Sequence, residues 1–129
     1  MFTLEQIKKA HSKVKSGSDF PKYVQDLIKL GVTYYDTYVT DGHTDYYGVN
    51  AFKIRSEAKY VNLIIAENPN SKQFTKDLRA HQQGKTDYLT FCNSCAALGI
   101  NKWTVGIDTM TCTYYDQADN VILTEDIPN

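Results

Sequence analysis

The chain repeats one order of predicted elements, and this repetition constrains the fold more than any other feature of the sequence. Residues 3–57 carry two amphipathic helical segments followed by three segments with strand character, and residues 71–125 carry the same elements in the same order. Gly31 and Gly99 each end a predicted second helix, and they lie 68 residues apart. A repeat of this kind indicates that neither copy buries its apolar face alone.

The same offset of 68 residues aligns residues 18–57 with residues 86–125 without a gap. Aligned positions mostly share aromatic, apolar or helix-capping character, although the first helices match only after a shift of one residue. Residues 58–70 form a bridge between the two copies. We therefore predict a single α+β domain over residues 1–129, in which antiparallel strands form one or more sheets and the helices pack on one face.

Local signals mark the ends of the first helix and of the first hairpin. Thr3 is a capping residue for a helix that runs to about Lys15. Asp41-Gly42 is typical of a two-residue hairpin turn, and such a turn places Tyr38 opposite Asp45. The turn therefore predicts which residues pair across the first two strands.

Tyrosine is the unusual residue, with 10 among 129 residues. Because side chains alternate along a strand, each hairpin has a more apolar face that should meet the helices. That face holds Tyr35, Thr37, Val39, Thr44 and Tyr46 in copy one, and Trp103, Val105, Ile107, Cys112 and Tyr114 in copy two. The opposite face is aromatic and hydrogen bonding, should be partly accessible to solvent, and has no predicted helix left to cover it. Its candidate binding residues are Tyr34, Asp36, Tyr38, His43, Asp45, Tyr47 and Tyr115.

Two explanations fit this tyrosine-rich face. Tyrosine joins a rigid apolar ring to one polar tip, which suits a surface that binds a ligand or a partner. Tyrosine is also a good strand former on a half-solvated sheet, and that explanation requires no ligand. The sequence leaves both explanations open.

The cysteines at positions 92 and 95 match the C-x-x-C pattern of thiol redox pairs and metal sites. A redox pair should lie at a helix N-terminus, whereas Cys92 and Cys95 lie at least one turn inside a predicted helix. In the repeat they align with Val24 and Leu27, so we predict buried packing residues, and we predict the same for Cys112. Motifs for phosphate loops, nucleophile elbows and zinc proteases do not occur, and we assign no catalytic residue, metal ligand or cofactor.

Composition disfavours several function classes. A count of 14 Lys and Arg against 15 Asp and Glu gives a net charge of −1, whereas nucleic-acid binders carry a basic excess. The chain start has no signal-peptide pattern, and no apolar run is long enough to span a bilayer. We therefore predict a cytoplasmic protein with reduced cysteines that binds neither nucleic acid nor membranes. Lysines concentrate near the start and acidic residues follow Lys102, an asymmetry that could guide self-association into a homo-oligomer.

The chain resembles a known family over nearly its whole length. The resemblance rests on three segments: MFTLEQIKKAHSKVKSGSDFPKYVQDLIKLGV at the start, then DGHTDYYG, and HQQGKTDYLTFCNSCAALGINKWTVGIDTMTCTYYD over residues 81–116. That family consists of small bacterial proteins of unknown function, some of them labelled "phage envelope protein". The resemblance implies no activity and no catalytic residues, and the lack of a signal, span or lipidation motif fits the envelope label poorly.

The sequence therefore favours a non-enzymatic domain that binds a small molecule or a protein partner. The predicted site is either the tyrosine-rich sheet face or a groove between the two copies. The alternative is a small hydrolase or transferase that uses His43 with Asp36 or Asp45. A deep pocket around His43 would favour the enzyme, a flat tyrosine surface would favour a protein partner, and a groove with density trapped in it would favour a small ligand.

Overall fold

The computed structural model, which describes residues 2–15 and 17–127, contains the predicted elements in the predicted order. Copy one holds α1 (Leu4–His11), α2 (Phe20–Leu30), β1 (Val32–Tyr38), β2 (Thr44–Gly48) and β3 (Lys53–Arg55). Copy two holds α3 (Ser71–Gln82), α4 (Tyr88–Ala97), β4 (Lys102–Gly106), β5 (Thr111–Tyr115) and β6 (Val121–Asp126). The α+β class and the repeated helix-helix-strand order are therefore confirmed.

The strands of the described residues form one antiparallel sheet in the order β3-β2-β1-β4-β5-β6. The two copies meet at β1 and β4, where Asp36 pairs with its own counterpart Thr104, 68 residues further on. The Thr104 hydroxyl donates a hydrogen bond of 2.5 Å to the Asp36 carboxylate. Because equivalent residues of the two copies face each other here, an approximate twofold axis passes through the middle of the sheet.

The two hairpins share one register. Tyr35 lies opposite Tyr46 in copy one, and Trp103 lies opposite Tyr114 in copy two, at the offset of 68 found in the sequence. The helices also align as expected, because the N-cap residues Thr3 and Asn70 each accept a hydrogen bond from the backbone amide of a glutamine three residues on. The shift of one residue between α1 and α3 is therefore real.

The first hairpin turn differs from its prediction. β1 and β2 pair Asp36 with Asp45, and the Tyr38 amide donates to the His43 carbonyl at 3.0 Å. Residues 39–42 therefore form the loop, and the prediction of a two-residue turn is wrong. The register differs by two residues, an even number, so every side chain stays on its predicted face of the sheet.

The bridge explains this longer loop. The Lys59 amide donates to the Asp41 carbonyl at 2.7 Å, and the Tyr60 hydroxyl donates to the Val39 carbonyl at 2.6 Å. These contacts occupy loop carbonyls with groups far along the chain, so the loop geometry depends on tertiary contacts rather than on the Asp-Gly signal. Residues 58–70, all of them described, contain no helix or strand.

The third strands break the constant offset between the copies. Ile54 of β3 lies opposite Tyr46, but Leu123 of β6, rather than Ile122, lies opposite Tyr114. A register irregularity between Tyr114 and Tyr115 leaves one extra residue in β6. From that point the offset between structural counterparts grows by one residue, and the alignment without a gap is wrong for the end of the repeat.

The helices pack against the predicted apolar face of the sheet. α1 packs against α2, and α3 packs against α4. The core that they cover includes Leu27 and Phe74 from the helices and Tyr35 and Val105 from the sheet. No helix in the described ranges has the length and apolar character needed to cross a membrane.

α1 is shorter than the sequence predicts. It ends at His11 rather than near Lys15. The Ser12 hydroxyl donates to the Lys9 carbonyl at 2.6 Å, and the Lys15 amide donates to the Asp19 carboxylate at 2.9 Å. Side chains thus replace the backbone partners that would have continued the helix.

Candidate ligand-binding site

All seven residues predicted as a binding site lie on the sheet face that carries no helix. The rings of Tyr34 and Tyr47 stack with centroids 4.3 Å apart, and those of Tyr38 and His43 stack at 4.5 Å. The Lys102 ammonium lies 6.0 Å from the Tyr38 ring and 5.1 Å from the ring of Tyr115, so it connects the two copies across the face. The structure brings the predicted residues together, and their role in binding stays a prediction.

Asp45 departs from the expected accessibility of this face. Its side chain is 2% exposed, whereas the other six predicted residues are half-buried or exposed. Arg55 donates two hydrogen bonds to the Asp45 carboxylate, at 2.6 and 3.1 Å, and the Lys53 ammonium lies 3.7 Å away. These hydrogen bonds from Arg55 lower the pKa of Asp45. The expectation of an accessible carboxylate is wrong because β3 places two cations over it.

The acid-base pair of the enzyme hypothesis does not form in this arrangement. The His43 imidazole is hydrogen bonded to the Asp41 carboxylate, with Nδ1 and Oδ1 2.6 Å apart. The Asp36 carboxylate instead accepts from Thr104, and Asp45 accepts from Arg55. The geometry therefore gives the hydrolase or transferase alternative no support.

A cavity of about 1030 Å³ lies on the opposite side of the sheet, under the helices. Its volume is at the upper end of the range of roughly 300–1,000 Å³ that is typical of small-molecule sites. Both copies line it, and His43 does not. The aromatic residues of the lining are Phe20, Tyr23, Tyr35, Tyr46, Tyr88, Phe91, Trp103 and Tyr114.

These aromatic residues form equivalent pairs across the repeat. Tyr35 and Trp103 lie on the central strands, and Tyr23 and Phe91 occupy matching positions in α2 and α4. The sequence placed the strand residues on the helix-facing side but treated them as packed core. Large aromatic residues recur at equivalent positions of the two copies and line the same cavity. This recurrence is the sequence signal that could have identified the cavity.

Two pairs of hydroxyl groups lie among the aromatic residues of the lining. The hydroxyls of Tyr23 and Tyr46 lie 3.5 Å apart, and those of Thr37 and Thr44 lie 2.9 Å apart. Burial raises the pKa values of both tyrosines, so they stay protonated at neutral pH. These four hydroxyls are neutral hydrogen-bonding groups beside the aromatic rings, which suits recognition of a ligand.

His81 forms part of the cavity wall next to α4. Its ring stacks on Phe91 at 4.3 Å, and its Nδ1 lies 3.0 Å from the Thr86 hydroxyl. Burial lowers the pKa of His81, which favours the neutral imidazole at physiological pH. Among the described residues, no group of three or more His, Cys, Asp and Glu side chains is arranged to hold a metal ion.

The three cysteines are buried, as the repeat predicts. Cys92 and Cys95 are 0% exposed, and Cys112, which lines the cavity, is 6% exposed. Burial raises the pKa of Cys92, and it raises the pKa of Cys112 to about 12. These thiols are therefore protonated at neutral pH and are poor nucleophiles.

The double substitution Cys92→Val with Cys95→Leu should preserve the fold and lower the free energy of unfolding by at most about 1–2 kcal/mol, because near-isosteric apolar side chains replace buried thiols. Urea denaturation measures this cost. In the folded wild-type protein, no thiol should react quickly with a disulfide reagent at pH 8. Bound zinc, or a Cys92 thiol that titrates well below pH 8, would contradict the packing role.

Comparison with known proteins adds a family but no activity. The chain has no significant match among curated proteins. A family model described as "Protein of unknown function (DUF1398)" matches residues 8–126, which include every strand and all of the cavity's aromatic residues. The chain therefore belongs to this family of unknown function.

Proposed function

We propose that the protein binds a small, largely apolar molecule in the cavity between the sheet and the two helix pairs, without catalysing a reaction. The observation that carries this proposal is the size of the cavity together with the equivalent aromatic side chains that line it from both copies. When a ligand displaces water from such rings, the complex is stabilised by roughly 25 cal/mol per Å² of apolar surface removed from water.

The chemistry of the lining supports binding rather than catalysis. A nucleophilic mechanism needs an activated side chain with a base in hydrogen-bond reach. The thiol in the cavity, that of Cys112, is held protonated by burial, which raises its pKa to about 12. The His81 Nδ1 lies 3.0 Å from the Thr86 hydroxyl but also 3.2 Å from the Thr86 backbone carbonyl. Because that carbonyl can only accept, this nitrogen is placed to donate a proton rather than to take one from the hydroxyl.

Trp103 provides a direct readout of binding, because it is the only tryptophan in the sequence and it lines the cavity. Titration with the apolar dye N-phenyl-1-naphthylamine should quench Trp103 emission as the dye enters. The substitution Cys112→Phe places a ring in the cavity and should weaken dye binding roughly tenfold or more, since it removes the space that the ligand needs. A thermal-shift screen of metabolites would then identify natural ligands.

Thr113→Phe is the matched control for this experiment. Thr113 neighbours Cys112 on β5, but its side chain lies on the face without helices. The Thr113→Phe substitution adds the same ring to the same strand but on the other face, so dye binding should stay unchanged. The proposal fails if Cys112→Phe leaves the titration unaltered, or if Thr113→Phe weakens binding as much.

The tyrosine-rich face is the second candidate, for a protein partner. The observation in its favour is the stacked pair of Tyr34 and Tyr47, in which Tyr34 is 40% exposed. If the Thr113→Phe variant lost binding to a protein partner and the Cys112→Phe variant kept it, the result would favour the tyrosine-rich face as the binding site. Both proposals assume a cytoplasmic protein, as the composition predicts, and a bacterial or phage-related origin, as the sequence resemblance implies. Self-association stays an expectation.

A further inference from the structure

The two halves of the cavity differ chemically although they are built from equivalent positions. Thr44 of copy one corresponds to Cys112 of copy two, at the same register of the hairpin. His11 of α1 corresponds to Leu78 of α3, given the shift of one residue between these helices. All four line the cavity. At these two positions copy one contributes the more polar side chain, whereas at Val14 and His81, which correspond under the same shift, copy two does.

Charge also differs between the two ends of the cavity. The copy-one end of the cavity is lined by Lys8, Lys15 and Glu57 together with Lys59 of the bridge, whereas copy two contributes Arg79, Asp87, Glu125 and Asp126. In copy two the cation is satisfied, because the Arg79 guanidinium lies 2.7 Å from the Glu125 carboxylate. A ligand therefore meets surplus positive charge at the copy-one end.

Lys59 is a cation at this end whose hydrogen-bond partners are neutral. Its ammonium donates to the Gly42 carbonyl at 3.2 Å and to the Ser56 hydroxyl at 3.4 Å, both neutral oxygens. Within the described part of the chain, no carboxylate oxygen lies within 4.0 Å of this nitrogen. Lys59 as a whole residue is exposed, and partial burial of its ammonium group lowers its pKa. Cys92 and Asp41 oppose this shift, and Lys8 adds to it.

We propose that the ligand of the cavity is an amphipathic carboxylate, with its anionic group at Lys59 and its apolar body against Trp103 and Phe91. This inference rests on the proposed function and specifies the chemical class of the ligand. A carboxylate would give Lys59 the charge-assisted hydrogen bonds that its neutral oxygen partners do not supply. The apolar body would cover the aromatic side chains of the copy-two half.

An alkyl and an aryl carboxylate share this chemistry, so the experiment uses both. Decanoate is compared with 1-decanol, and biphenyl-4-carboxylate with biphenyl-4-methanol, by displacement of N-phenyl-1-naphthylamine from the wild-type protein. At least one carboxylate should bind roughly tenfold or more tightly than its alcohol, because a charge-assisted hydrogen bond is worth about that factor. The pair with the larger ratio identifies an alkyl or an aryl body.

Substitutions test whether Lys59 is responsible for the preference. Lys59→Met keeps the apolar stem and should abolish the preference for the carboxylate while the alcohol binds as before. Lys59→Arg should retain the preference. Lys22→Met, on the exposed side of α2 and away from the cavity, removes a charge without changing either affinity. If Lys59→Met does not fold, Lys8→Met should reduce the preference in its place.

The outcomes separate this inference from the proposed function. Equal binding of carboxylates and alcohols in the wild-type protein overturns the anionic ligand but leaves the cavity as a binding site. A carboxylate preference that persists in both Lys59→Met and Lys8→Met overturns the assignment to this end of the cavity. If neither the dye nor any of the four compounds binds, the inference and the proposed function fail together.

Discussion

Replacing Tyr46 with alanine should lower the free energy of unfolding by about 3 kcal/mol, as truncation of a large buried side chain does. Tyr46 is 6% exposed, its ring lies 5.4 Å from that of Tyr35, and its hydroxyl lies 3.5 Å from that of Tyr23. Alanine would remove these contacts and enlarge a cavity that is already present. Urea denaturation followed by circular dichroism measures the loss.

Tyr47 is the matched control because it is the next residue of the same strand and points to the open face. It is half-buried and stacks on Tyr34, with ring centroids 4.3 Å apart. Tyr47→Ala should therefore cost only about 1 kcal/mol, the value of one exposed aromatic pair. Equal losses for the two substitutions would mean that the two faces of the sheet do not differ in burial as the structure indicates.

Gly99→Ala should destabilise the protein by about 3 kcal/mol or more, whereas Gly31→Ala should cost about 1–2 kcal/mol. Both glycines end a second helix with positive φ, 83° at Gly99 and 94° at Gly31, so alanine adds about 1–2 kcal/mol of backbone strain at either position. Their surroundings differ. A methyl group at Gly99 would lie 2.7 Å from the Pro69 Cα, whereas one at Gly31 would have no atom within 4 Å.

The extra cost at Gly99 comes from the bridge, which passes directly over the end of α4. The Asn70 amide donates to the Leu98 carbonyl at 2.9 Å, and the Ala66 amide donates to the Ala96 carbonyl at 2.9 Å. Backbone cannot yield as a flexible side chain does, so overpacking here adds about 1–3 kcal/mol. Thermal denaturation of the two variants gives the comparison, and equal midpoints would show that the bridge moves aside freely.

The sequence predicted the candidate site only in part. The repeat predicts a groove between the copies as one of two sites, but the candidate binding residues all lie on the tyrosine-rich face. The lining of the cavity was assigned to the core because a ring on the apolar face of a strand is expected to be packed. Tyr35 and Trp103 are buried and contact Tyr23 and Phe91 of the helices, as a core position predicts. Whether a cavity remains beside them depends on how far apart the two helix pairs lie, which no local pattern encodes.

The element order, the strand faces and the burial of the cysteines could be predicted from the sequence because each depends on local periodicity. A period of two assigns Tyr46 and Tyr47 to opposite faces whatever the register, provided that any slip is even. The repeat then carried the environment of Val24 and Leu27 over to Cys92 and Cys95, and all four are buried. These features need no knowledge of distant contacts.

Tertiary structure decided the rest, because the deciding partners are distant in sequence. Lys59 and Tyr60 hydrogen bond to loop 39–42 and lengthen a turn that Asp41-Gly42 alone would have made tight. Arg55 satisfies Asp45 and removes its carboxylate from the accessible face. Local sequence therefore determined which residues could face each other. Long-range hydrogen bonds, ion pairs and packing determined which of them are in contact and where a cavity of ligand size remains.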